Sequence, residues 1–195
     1  MTMRLEGSPP SGAATRTKPV IRDARPEEAG RVAALILGSY AEFENDIPAT
    51  VWEAATAEWA DVLGRWQEAE LIVAERDGEL LGAVTFYPDG TLSRTEAWPR
   101  GWAALRSFCV SPRARRQGVG SALTQECIRR ARERGIVTIG LKTGLFMVAA
   151  RAAYERAGFV RDREHDHYWV GDGVVADPDP ATATVPAMAY RLDLS

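Results

Sequence analysis

Apolar residues fall along the chain in two patterns, short continuous runs and helical spacings, and their order predicts the architecture. The run Val20-Ile21-Arg22 predicts a short strand. Pro26-Glu27-Glu28 then favours a helix start, with proline in the first turn and acids set against the dipole. Residues 29–43 carry Val32, Leu35, Ile36 and Tyr40 near helical spacing and predict that helix, which residues 45–48 break. A second helix is expected over residues 50–67. There Trp52, Trp59 and Trp66 recur every seven residues and stay near one face, drifting only about 20° per heptad. Two apolar runs, residues 71–74 and 80–87, flank Asp77-Gly78 and predict an antiparallel hairpin. Residues 88–102 form a long polar loop, a kind uncommon in compact domains and often functional. Residues 105–110 predict a strand, and residues 121–134 a helix with Val119, Ala122, Leu123, Cys127, Ile128 and Ala131 on its buried face and Gly135 as its stop. A strand over 137–143, a helix over 148–157, a strand region over 159–170, a solvated loop over 171–186 and a last strand over 187–192 follow. Helices first, a meander of strands next and strand–helix alternation last predict an α/β (α+β) domain, three-layered around a mixed sheet.

Composition narrows the class. A chain of 195 residues fits one domain at roughly 100–200 residues each. Residues 1–18, rich in Ser, Pro, Gly and Thr, read as a flexible tail, and residues 19–195 as the single domain. With 46% hydrophobic and 26% charged residues, the chain is not collagen, a long coiled coil or a wholly disordered polymer. No apolar run approaches the roughly 20 residues of a membrane-spanning helix, and the start lacks the apolar core of a signal peptide. Twenty-four basic against 27 acidic residues give a net charge of -3, which argues against a general nucleic-acid coat. Cys109 and Cys127 are too few for a disulfide scaffold or a zinc site and read as buried thiols of a reducing compartment, so a cytoplasmic location is expected.

The chemistry concentrates where the strand ending at Val110 runs through Ser111-Pro112-Arg113-Ala114-Arg115-Arg116-Gln117-Gly118-Val119-Gly120 into a helix. Glycines at such a turn let the backbone approach a ligand, and the free N–H groups of the helix point at it, which favours phosphate. Arg113, Arg115 and Arg116 add charge and bidentate donors. A Walker P-loop is excluded because no Lys-Ser/Thr follows the glycines, and a dinucleotide fingerprint fits badly because residue 123 is Leu. On spacing alone, a glycine-tightened turn with a solvated arginine face stands beside the phosphate reading.

Leu105 to Pro112 followed by Arg115-x-x-Gly118-x-Gly120 resembles the acetyl-CoA-binding motif of the GNAT superfamily of N-acetyltransferases. Ala150-Arg151-Ala152-Ala153-Tyr154-Glu155-Arg156-Ala157-Gly158-Phe159 resembles the family's second signature, a helix ending in Tyr-Glu-x-x-Gly-Phe. The resemblance covers residues 20–194 and implies a three-layer GNAT-like fold with a central mixed, mostly antiparallel sheet. It also implies acetyl-CoA as cosubstrate, an amine acceptor, and an acyltransferase activity that moves the acetyl group directly within a ternary complex. Main-chain groups of Phe108, Cys109 and Val110 would pair with the pantetheine arm, with the Val110 amide near the thioester oxygen. Amides of Arg116, Gln117, Gly118, Val119, Gly120 and Ser121, in the motif opened by Arg115, would cradle the pyrophosphate. Tyr154 matches the tyrosine that protonates the leaving thiolate.

Two positions depart from the family pattern. Ala104 stands where many members carry a glutamate base, and Met147 where an asparagine is common. The first matters more, because an alkylamine of pKa about 10.4 is only about one part in 2,500 neutral near pH 7. Glu96, Glu44 and Asp46 are the acids expected to border the acceptor side, and Glu96 is preferred as base. The acceptor is expected to be a small-molecule amine, and nucleic acid and membrane are not expected partners. A homodimer follows from the resemblance, with the tryptophan helix as one candidate surface. A CoA-binding sensor without turnover is the alternative that Ala104 keeps open.

Other features have two readings each. The tryptophan series is either an aromatic wall over the acceptor or packing against sheet or partner. Trp98 and Trp102, with Arg94 and Arg100, would suit an acceptor carboxylate. His165 and His167 are two apart on an expected strand, hence on one face, and suit a base better than a metal, since spacing places no third ligand. Asp172, Asp177 and Asp179 lack calcium-loop spacing and read as a solvated face.

Overall fold

A computed structural model describes residues 17–93, 98–170, 173–175, 179 and 181–194. The expected tail thus lies almost wholly outside the described residues. The chain opens with β1 (Val20–Asp23), a 3-10 turn (Pro26–Glu28), α1 (Ala29–Tyr40) and α2 (Ala49–Ala60). The hairpin β2 (Glu70–Arg76) and β3 (Glu79–Tyr87) turns through Asp77 at φ 53° and Gly78 at φ 80°, the two left-handed residues that a tight hairpin turn requires. Then come β4 (Trp102–Val110), α3 (Val119–Glu133), β5 (Thr138–Gly144), α4 (Val148–Arg156), β6 (Val160–Arg161), β7 (His167–Val170), β8 (Gly173–Val175) and β9 (Val185–Asp193).

Among the described residues the strands form one sheet of order β1-β2-β3-β4-β5-β9-β7-β8, with β6 also on β9. The β4–β5 pair is parallel and the other pairs are antiparallel. One face carries the larger core, in which Ile72, Phe86, Leu105, Ile139 and Leu141 of the sheet meet Val119, Leu123 and Cys127 of α3. Tyr154 of α4 and Ala157 just beyond it pack on the same cluster. The other face is covered by Val32 and Ile36 of α1 and by Val62 beyond α2, over Leu71, Val73 and Ala83. This is the three-layer arrangement expected from the alternation of patterns.

Several boundaries differ from the sequence expectation, each for a local reason. The first helix ends at Tyr40, and residues 41–46 tighten into a 3-10 segment. The second ends at Ala60, where Asp61 Oδ1 accepts from Gly64 N–H at 2.9 Å and turns the chain into a 3-10 turn at Leu63–Arg65. Trp66 therefore leaves the helix that was expected to present it beside Trp52 and Trp59. The strand region over 159–170 is broken by a 3-10 turn at Arg163–His165, braced by Asp162 Oδ2 on His165 Nδ1 at 2.9 Å. Part of the loop expected over 171–186 is strand, with β8 on β7 and β9 beginning at Val185. No helix among the described residues is long and apolar enough to cross a membrane.

Candidate active site

Parallel pairing between β4 and β5 runs only from Trp102 opposite Thr138 to Leu105 opposite Leu141. Beyond that point β5 stays with β9 as far as Gly144, while β4 stays with β3 as far as Val110. Two positions on β3, Ala83 and Thr85, face a span of three on β4, Cys109 and Arg106, so β4 carries a bulge. Ser107 sits in it at φ 47°. A bulge bends its strand and breaks the ladder, here leaving one edge of β4 unpaired toward β5. The gap is a cleft of about 710 Å³ lined by both strands, by α2, and by the starts of α3 and α4. Ser111 N–H donates to Leu81 O on β3 at 2.9 Å. Alternation along a strand then turns the Val110 N–H the other way, to the cleft edge.

The turn into α3 forms the floor of one end. Arg116 at φ 61° and Gly118 at φ 80° are both left-handed, and successive N–H groups in such a turn make a concave anion nest. No side chain caps α3, and its first turn carries no acid, so its leading amides keep their capacity for an anion. A methyl group at Gly118 would meet no protein atom within 4 Å beyond its chain neighbours, so the glycine borders open space. Arg116 is exposed on the cleft and makes no hydrogen bond or ion pair among the described residues. A pyrophosphate fits this donor set.

The other expected site residues are distributed unevenly. Phe108, Val110, Arg115, Val119, Gly120 and Ser121 line the cleft, as does Tyr154, whose ring centre is 6.0 Å from Phe108 and 5.9 Å from Phe159. The Phe108 carbonyl accepts from Tyr40 Oη at 3.0 Å. Cys109 borders the cleft, but its residue is buried in the α1-side core, and burial pushes its thiol up to about 12. Arg115 forms an ion pair with Glu42 and reaches Ser39 O at 3.4 Å, strapping the segment after α1 to this turn. Gln117 is turned away, donating to Arg113 O at 2.7 Å and accepting from Arg76 Nη1 at 3.0 Å. Glu96 and Arg94 lie outside the described residues, as do Asp172 and Asp177. Glu44 and Asp46 are exposed and do not line the cleft.

The features read two ways are also placed. Trp59 lines the cleft, stacked on Tyr40 at 4.5 Å, with Trp52 edge-on to it at 5.6 Å. Trp98 does not itself line the cleft. It is 5% exposed and stacks on Trp102 and His165, while Arg100 is exposed outside the cleft. His165 and His167 do not share a strand face. The first is held by Asp162, and the second places Nδ1 2.6 Å from Lys142 Nζ. Burial, and then the Lys142 charge, lower His167 to about 4, so Nδ1 accepts from the ammonium.

Among the cleft residues not expected from sequence are Glu58, Arg106 and Lys142. Glu58 does carry a sequence signal, an acid in register with the stripe Val51, Ala54, Ala55 on α2. Arg106 and Lys142 interrupt otherwise apolar strands. Ala104 is fully buried with Tyr87 and Trp98.

The model of the Acetyltransferase (GNAT) family matches residues 35–159, well over half of the 195. The chain belongs to this family. The matched span of this GNAT chain takes in the turn into α3, the bulged strand and α4. Over 94 residues it is 37% identical to a mycothiol acetyltransferase of Cellulomonas flavigena, covering 48% of this chain and 27% of that one. Over 95 residues it is 37% identical to an aminoglycoside N(6')-acetyltransferase type 1 of Klebsiella aerogenes, covering 47% and 59%. The chain thus spans less than two thirds of these curated relatives' own lengths. A GNAT-family acetyltransferase from Staphylococcus aureus Mu50 superposes with a TM-score of 0.66 over 91% of this chain and 99% of that one, at 17% identity. The PaiA N-acetyltransferase from Thermoplasma acidophilum in complex with coenzyme A gives 0.65 over 91% and 99%, at 14% identity. Likeness at these identities establishes the GNAT fold.

Proposed function

We propose that the protein is an N-acetyltransferase that moves an acetyl group from acetyl-CoA to the amine of a small-molecule acceptor. The observation that carries this reading is the meeting, in one cleft, of an unpaired β4 edge, an anion nest at α3 and the phenol of Tyr154. Acetyl-CoA supplies an acetyl thioester already activated for attack. The amides of Gly118, Val119, Gly120 and Ser121 and the guanidinium of Arg116 hold its pyrophosphate. The free edge of β4 at Phe108 to Val110 takes the pantetheine arm as an added strand. Val110 N–H donates to the carbonyl oxygen as negative charge builds there, the role of an oxyanion donor. Tyr154 gives its proton to the departing sulfur, concerted with bond breaking.

The buried Ala104 favours a second reading, a CoA-binding sensor without turnover, because β4 itself offers no carboxylate. Release of free thiol from acetyl-CoA in the presence of a panel of primary amines separates the two. Amine-dependent release supports the enzyme; acetyl-CoA binding without release under any amine supports the sensor.

A further inference from the structure

We propose that Glu58 is the carboxylate that receives the acceptor's nitrogen, and that the acceptor is a primary amine on an uncharged, apolar or aromatic body. The proposal rests on the acetyl-transfer reading above and supplies the group that Ala104 lacks. Glu58 reaches β4 from α2 and meets Arg106 Nη2 at 3.2 Å, two residues beyond Ala104. Arg65, nine-tenths buried in the turn after α2, holds the same oxygen, Glu58 Oε1, through Nη1 at 3.0 Å. Arg65 also caps α2 through the carbonyls of Glu58, at 2.6 Å, and Trp59, at 3.3 Å. Both cations use Oε1, and Oε2 takes no bond among the described residues. A carboxylate of a cleft-lining residue, fixed through one oxygen and with the other unbonded, is built to accept a donor.

The surroundings state what body that donor has. The α2 wall beside Glu58 is Val51, Ala54, Ala55 and Trp59, and Phe43 and Phe146, whose ring centres are 5.2 Å apart, line the same cleft. An ammonium at Glu58 gains a charge-assisted hydrogen bond, with the aromatic residues of the same cleft around its body. The other ionisable groups of the cleft or on Glu58 are Arg65 and Arg106 on Oε1, Tyr40 and the Glu42–Arg115 pair, Cys109 and Arg116 at the α3 end, Lys142 against His167, and Tyr154 and Arg156 on α4.

The step balances. The bound ammonium passes one proton to Glu58 Oε2 and becomes a neutral amine. Its lone pair forms the C–N bond as the C–S bond breaks, the sulfur takes the Tyr154 proton, and the nitrogen's second proton restores the phenol. Glu58 then returns its proton to water, so an ammonium and a thioester become an amide, a thiol and a proton.

The test uses the full chain with 2-phenylethylamine and L-phenylalanine as probes, following thiol release, with acetyl-CoA affinity measured separately by calorimetry. The wild type should prefer 2-phenylethylamine over L-phenylalanine by about tenfold or more, since the added carboxylate faces Glu58 in an apolar wall. Glu58→Gln should lower kcat/KM for 2-phenylethylamine by about 100- to 1,000-fold while leaving acetyl-CoA affinity near the wild-type value. Its remaining kcat/KM should climb about tenfold per pH unit above about pH 7, tracking the free amine, whereas the wild type, which takes the ammonium, stays flatter. Glu58→Asp, which keeps the charge, should recover part of the loss and serves in its place if Glu58→Gln no longer binds acetyl-CoA. Equal transfer in Glu58→Gln, or a drop with the pH slope of the wild type, overturns the role of Glu58. Acetyl-CoA binding with L-phenylalanine preferred overturns the acceptor class alone. Absence of acetyl-CoA binding in the wild type overturns the acetyl-transfer reading and this one with it.

Discussion

Gly118 shows how much one residue carries. At φ 80° a β-branched side chain costs about 1–2 kcal/mol of backbone strain, and its Cβ would project into the open end of the cleft rather than into protein. Gly118→Val should therefore fold with a modest loss of stability and lose acetyl-CoA affinity by about 100-fold or more, read by calorimetry. Undiminished affinity would place the phosphate cradle elsewhere. Tyr154→Phe removes one hydroxyl from a half-buried ring that keeps its packing on Phe108 and Phe159. Acetyl transfer should fall by about 100-fold, with acetyl-CoA affinity little changed; equal losses in both would remove the proton-donor role. These two residues are legible in the sequence because their partners in the motif lie within a few positions. Glu58 is legible only as an acid in register with the α2 stripe, since its meaning depends on Arg106, which only the fold brings to it. Gln117 shows the converse: it stands inside the motif, yet its side chain serves Arg76 and Arg113.

At the scale of elements, the sheet between β4 and β5 is sealed on the α2 side by Trp98. Its ring lies so close over Gly140 that an added Cβ would stand 2.7 Å from it, and Lys142 Nζ lies 4.5 Å from a Trp98 ring centre. Gly140→Ala should cost about 1–3 kcal/mol of stability by forcing the indole off its seat, measured by denaturant unfolding. An unchanged midpoint would mean that the ring moves freely and seals nothing. The long periodic elements, α3, α4 and the β2–β3 hairpin, are legible from apolar spacing because their own side chains decide them. The ends of α2 and of β6 are not, because Asp61 and Asp162 set them through hydrogen bonds that periodicity does not register. The bulge at Ser107 has no glycine to announce it, although the whole cleft depends on it.

Across the whole molecule, three buried or clamped groups set the response to acid. Hydrogen bonds from Arg22 hold Glu28 down to about 2 from 4.5, and Arg129 does the same for Glu126. A carboxylate depressed in the folded state stabilises it above the unfolded pKa, and that contribution is lost as pH falls from 4.5 toward 2. His167, lowered from 6.5 to about 4 by burial, acts in the same direction, since the folded state resists its protonation as pH falls through that range. Tm should therefore decline in two stages, first below 6.5 and again below 4.5, and Glu28→Gln should flatten the second stage. A Tm independent of pH across both windows would contradict the burial of His167 and the clamp on Glu28. The architecture as a whole joins these parts to one claim, that the gap between β4 and β5 is a seat for acetyl-CoA. Calorimetric titration of the protein with acetyl-CoA, free CoA and ATP decides it. Both CoA species should bind at micromolar affinity and ATP much more weakly, since ATP has phosphates for the nest but no pantetheine arm for β4. Folded protein that binds neither CoA species, or binds ATP equally well, would contradict it.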